Sequence, residues 1–181
     1  MTQNQVIAII VAVLAVVVFY LKTQRSRRLR ERFGPEYDRA VSEAGSMRAE
    51  SRLEKLERRV NTYNIRALEP SARDRYVQEW RQVQARFVDD PNNAVGAADW
   101  LLGEVMAARG YPVADFEQQA DDLSVNHPLL IEHYRAGHTI AVRHAQGHAT
   151  TEELRQALIH YRALFDELVD ERTRAAVATR Y

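Results

Sequence analysis

Sixteen consecutive residues near the N-terminus, residues 6–21, carry no charge, and twelve of them are Val, Ile, Leu or Phe. At roughly −0.3 to −0.6 kcal/mol each, those twelve favour insertion into a bilayer by about 4–7 kcal/mol. Coiled as a helix, the run spans about 24 Å, slightly short of the ~30 Å hydrocarbon core. The uncharged polar residues 2–5 can lie at one interface. At the other, Tyr20 suits the headgroup level and Lys22 can snorkel outwards. The run therefore predicts a single transmembrane helix. A cleaved signal peptide would need a basic leader and a small-x-small site after the run. The leader MTQNQ holds no Lys or Arg, and no such site follows. A buried helix of a soluble protein is opposed by the all-round apolarity and by the abrupt basic edge.

Beyond residue 21 the apolar positions fall at spacings of three and four, the period of amphipathic helices. Residues 25–32 continue the first helix until Gly34-Pro35 breaks it. Pro35 then starts a helix, with Glu36 and Asp38 in its first turn. This helix is expected to run to about Tyr63. Tyr37, Val41 and Ala44 mark one stripe on it, and Leu53, Leu56, Val60 and Tyr63 mark another. The second stripe has coiled-coil spacing, and Gly45, Ser46 and Arg48 between the two do not keep the phase. Two readings follow: a solvated helix that packs a few residues on the body, or a self-association seam.

Residues 70–172 read as four or five capped helices. Pro70 opens the first, whose face is Tyr76, Val77, Trp80, Val83 and Phe87. Asp90-Pro91 is an N-cap followed by proline at the first helical position. The second helix carries Val95, Ala98, Leu101, Leu102, Val105 and Met106, and stops at Arg109-Gly110. Asp115 caps a short helix with Phe116, Ala120 and Leu123. Pro128 is expected to open the next helix, with Leu130, Tyr134, Gly137 and Ala141 on one face and its end at Gly147. Thr150 and Glu153 form a capping box, followed by Leu154, Leu158, Tyr161, Phe165 and Leu168. Such helices are marginal alone and must bury their faces on each other. Trp80, Trp100, Phe87, Phe116, Tyr134, Tyr161 and Phe165 are the expected aromatic core.

The pattern thus predicts an all-α protein. Residues 1–24 form a transmembrane anchor with its flanks, and residues 25–69 a basic juxtamembrane connector. Residues 70–172 form a small helical bundle, and residues 173–181 a frayed tail. Seven Gly, five Pro and no Cys agree with helix and exclude disulfides, thiolate metal sites and a cysteine nucleophile.

A formal net charge of zero hides a polarity along the chain. Residues 22–66 hold 13 Lys/Arg against 7 Asp/Glu, whereas residues 67–181 hold 12 against 18. Lys22, Arg25, Arg27, Arg28, Arg30 and Arg32 follow the apolar run directly. Positive residues stay on the cytoplasmic side, so the expectation is an outside N-terminus and a cytoplasmic body. The same six cations are the expected membrane-surface contacts, since each adds about 1 kcal/mol near an anionic leaflet. Six cations in eleven residues also resemble a phosphate-binding arm. No interleaved aromatic or recognition motif accompanies them, so nucleic acid is not an expected partner.

Catalytic chemistry finds little support. All six histidines lie between His127 and His160. His144 and His148 have the i, i+4 spacing of paired ligands, but Gly147 interrupts the helix there. His133 lies about three turns before His144. A metal would need a third ligand such as Glu132 or Glu152 and a second shell. HExxH, GxSxG, GxGxxG and GxxxxGK[ST] are absent. Asp89-Asp90 and Asp121-Asp122 read as helix caps. No catalytic residue, cofactor, metal or small-molecule ligand is assigned.

Three segments resemble a widespread bacterial family of uncharacterised single-pass membrane proteins, commonly labelled hypothetical or secreted. They are Leu29-Arg30-Glu31-Arg32-Phe33-Gly34-Pro35-Glu36-Tyr37-Asp38-Arg39, Val83-Gln84-Ala85-Arg86-Phe87-Val88-Asp89-Asp90-Pro91, and Arg109-Gly110-Tyr111-Pro112-Val113 with Asp115-Phe116-Glu117. The resemblance covers most of residues 29–168. It implies a single-pass protein of the bacterial inner membrane and supplies no catalytic residues. Usage of 23 Arg to 2 Lys suits a GC-rich bacterium. The expected function is a membrane-tethered interaction or scaffold protein that binds another protein or itself. The alternative is a metal- or small-molecule-dependent sensor or enzyme built on the bundle.

Overall fold

In the computed structural model, residues 3–170 are described, with the side chains of all of these except residues 4 and 6–9. The expected tail, residues 173–181, lies outside the described residues. Eight helices and no strand occur among them. The chain divides into two compact units, Met1–Glu57 and Arg58–Tyr181.

The first unit begins with α1, Gln3–Phe33, a 31-residue helix that changes character along its length. Residues 10–21 are exposed without exception, Phe19 at 72% and Val16 at 67%. Twelve consecutive positions cover every direction around a helix, so nothing among the described residues covers this stretch. Further along, Leu29 and Phe33 are fully buried. They lie four residues apart, on one face. Among the described residues no helix is long and apolar enough to cross a membrane. The apolar run, however, begins at residue 6, and the side chains of residues 6–9 lie outside the described set.

Gly34 ends α1 at φ 51°, and Pro35 starts α2, Pro35–Ala44. Where one helix to Tyr63 was expected, the chain breaks at Gly45 and restarts as α3, Ser46–Val60. Gly45 has φ 76° and ψ 155°, a conformation essentially reserved for glycine that costs other residues about 1–3 kcal/mol. The loss of apolar phase around Gly45 was the mark of this break. Ala49, Leu53, Leu56 and Val60 are all buried. Three of the four residues of the second stripe are thus buried within the chain, and the fourth, Tyr63, is half-buried.

The second unit contains α4 (Pro70–Asp89), α5 (Pro91–Ala108), α6 (Phe116–Asn126), α7 (Ile131–Ala145) and α8 (Thr151–Asp170). α8 packs on α4, α5 and α7, while α4 packs on α5 and α6 on α7. Asp90 alone links α4 to α5, and it accepts a hydrogen bond from the Asn93 N–H at 3.2 Å. Asp115 does the same for Gln118 at 2.9 Å. Thr150 and Glu153 close the expected box: the Thr150 N–H donates to Glu153 Oε2 at 2.8 Å and the Glu153 N–H to Thr150 Oγ1 at 3.3 Å.

At the centre, Trp80 stacks on Phe165 with ring centroids 4.6 Å apart. A Cβ on Gly137 would come within 2.7 Å of the Tyr161 ring, so the missing side chain is what lets α7 and α8 close up. Two expectations fail here. Trp100 is 65% exposed rather than in the core. The buried positions of α5 include Ala98 and Leu102, and Trp100, two residues from each, points about 200° away. Pro128 does not open α7. Residues 128–130 form a turn in which the Leu130 N–H donates to the His127 carbonyl at 3.0 Å, and the helix starts at Ile131.

Candidate functional site

The six cations expected at a membrane surface all lie on α1, but they are not equivalent. Arg25 forms a two-pronged pair with Glu54 of α3, Nε to Oε1 at 2.7 Å and Nη2 to Oε2 at 2.9 Å. It also lies 3.8 Å from Glu50. Arg28 reaches Glu57 at 2.8 Å, and Arg32 reaches the same carboxylate at 4.0 Å. Arg30 pairs with Asp38 of α2 at 2.6 Å. Lys22 and Arg27 are exposed, and neither has a carboxylate partner among the described residues.

These pairs join three helices. Glu50 is only 3% exposed, and it accepts hydrogen bonds from Ser26 at 2.6 Å and Tyr37 at 3.1 Å. Burial pushes the Tyr37 hydroxyl above its ordinary pKa. That keeps the phenol protonated, as a donor to the carboxylate. Gln24, Arg25, Arg27, Arg28, Glu31 and Glu54 line one open groove between α1 and α3.

The histidines are not grouped as their spacing suggested. His133 meets His160 of α8, Nδ1 to Nδ1 at 3.0 Å, instead of His144. Burial, and then the neighbouring His133 charge, lower the His160 pKa. His144 and His148 sit where α7 ends, with the His148 N–H bonded to the Arg143 carbonyl at 2.9 Å. His138 stacks on Phe116 at 3.5 Å between centroids, and buried His127 lies 3.5 Å from Glu167. Among the described residues no three His, Cys, Asp or Glu side chains gather as a metal would need.

The acidic pair Asp121-Asp122 is corrected as well, since both residues lie inside α6 rather than at its ends. Asp122, 1% exposed, binds Arg59 Nη2 at 2.6 Å and Nε at 3.1 Å, and accepts from Tyr63 Oη at 3.1 Å. Asp121 lies 3.5 Å from Arg135.

Nearby, the segment Arg109-Gly110-Tyr111 has a structural explanation. Buried Arg109 donates to the carbonyls of Leu168 at 3.1 Å and Arg66 at 3.3 Å, while its own carbonyl accepts from the Arg66 N–H at 2.9 Å. Burial lowers its pKa. Gly110, at φ 94°, lies so close to the Asn64 carbonyl that a Cβ would sit 2.3 Å from that oxygen. This buckle holds residues 64–66 against the ends of α5 and α8.

Two of the expected core aromatics, Tyr134 and Tyr161, are buried phenols. Tyr134 donates to Gln119 at 3.0 Å. Tyr161 faces Asp99 without a hydrogen bond of normal geometry. Burial first, and Asp99 second, push both phenols well above their ordinary range. A phenol so placed stays neutral and offers no base.

Comparison of the chain with protein-family models, with curated proteins and with solved structures returns no match.

Proposed function

We propose that this chain is a membrane-tethered interaction protein. Residues 6–21 insert as a single-pass anchor, and the helical bundle stands at the cytoplasmic face of a bacterial inner membrane. There it binds another protein or a second copy. The carrying observation is the uninterrupted exposure of residues 10–21 in a helix that turns amphipathic only beyond them. Exposed apolar surface of that extent calls for a partner or a membrane. The cations from Lys22 onward supply the cytoplasmic signal. The resemblance to uncharacterised bacterial single-pass proteins and the arginine-rich usage support the same reading.

The rival, a metal-dependent sensor or enzyme, has the His133–His160 pair as its observation. Two nitrogen donors fall short of the three or four protein ligands a zinc site takes, so tethered scaffolding is preferred. The test is a crosslinked pull-down of the full-length chain from membranes. A reproducible partner or a self-crosslink is expected. A chain recovered alone and monomeric would contradict the interaction role.

A further inference from the structure

We propose that the groove between α1 and α3 is a headgroup site for an anionic phospholipid of the bilayer that holds α1, with Arg27 as its uncommitted cation. The inference rests on reading residues 6–21 as the anchor. Placement along the helix carries the first part. At about 1.5 Å per residue, Gln24 to Arg28 lie about 4–11 Å beyond Leu21. The polar layer on each side of a bilayer is about 5–8 Å deep. The groove lined by Gln24, Arg25, Arg27, Arg28, Glu31 and Glu54, three cations against two carboxylates, therefore opens at headgroup level.

Charge carries the second part. Arg25, Arg28, Arg30 and Arg32 are each committed to carboxylates of α2 or α3. A signal for orientation alone requires only a number of cations near the span. Here a fixed frame of ion pairs surrounds one guanidinium, Arg27, that has none among the described residues, and beside it the exposed Arg28 head keeps donors to spare. A guanidinium offers five donors in a planar fork, a match for phosphate oxygens.

The test uses the full chain reconstituted in phosphatidylcholine vesicles containing trace spin-labelled phosphatidylglycerol or spin-labelled phosphatidylcholine. The motionally restricted fraction of each label gives their relative association with the protein. Preference for the glycerol lipid is expected, and Arg27→Gln should weaken it about five-fold, the equivalent of about 1 kcal/mol for one cation near an anionic leaflet. Arg30→Gln removes the same charge outside the groove and should leave the preference nearly intact. Circular dichroism confirms that both variants keep their helices. Equal loss in both variants would show a diffuse charge effect and overturn the site. Loss of the preference on adding inorganic phosphate at constant ionic strength would assign the groove to a soluble anion and overturn the lipid. No restricted component for either label would overturn the anchor and the site together, whereas equal restriction of both would overturn the site alone.

Discussion

Among the glycines, Gly110 is the one at which an added Cβ meets the closest contact. Its positive φ is strained for any L side chain, and the Asn64 carbonyl would meet a Cβ at 2.3 Å. A backbone oxygen cannot rotate away as a side chain can. Gly110→Ala should therefore cost about 2 kcal/mol or more in urea unfolding. A smaller effect would mean that residues 64–66 shift freely.

His160 gives a pH test at the same scale. Its native pKa lies below the ordinary 6.5, from burial first and His133 second. Protonation then favours the unfolded chain. Its contribution to stability is complete above pH 6.5 and is lost as pH falls through the lowered native value. His160→Gln should flatten that part of the stability profile, and thermal melts of both proteins between pH 5 and 8 would show it. A profile unchanged by the substitution would contradict the pairing.

Elements were legible wherever their signals are local. The caps Asp90 and Asp115 and the Thr150–Glu153 box each act within three residues, so the sequence displays both partners. Thr150→Ala should cost about 1 kcal/mol through loss of the cap to α8, read from the midpoint of denaturant unfolding. A shift indistinguishable from zero would mean that Glu153 alone satisfies that end. The break at Gly45 shows in the sequence only as lost phase, which a continuous helix with an irregular face would share. Apolarity alone points Trp100 to the core, whereas Ala98 and Leu102, two residues to either side, define the buried face of α5 and leave Trp100 opposite it. Pairings between distant residues left no local trace. His133 meets His160 across 27 residues, and Arg59 meets Asp122 across 63. Helical periodicity says which face of a helix is buried and nothing about which helix covers it. The same limit hid the commitment of Arg25, Arg28, Arg30 and Arg32 to carboxylates on other helices.

For the whole molecule, the contrast between the two halves of α1 organises everything else. Beyond residue 21 the helix buries Leu29 and Phe33 and spends four of its six cations on ion pairs, while residues 10–21 find no partner among the described residues. A bilayer would cover that stretch, with the cationic turns that follow at its cytoplasmic edge. The lack of cysteine makes the orientation directly measurable, because any introduced cysteine is the sole label site. Thr2→Cys and Ser71→Cys variants, expressed in bacterial cells, are treated with a membrane-impermeant maleimide before and after permeabilisation of the inner membrane. Labelling of Thr2→Cys in intact cells, with Ser71→Cys protected until permeabilisation, is the expected result. Labelling of Ser71→Cys in intact cells, or recovery of both variants in the soluble fraction, would contradict the anchored, inward-facing bundle.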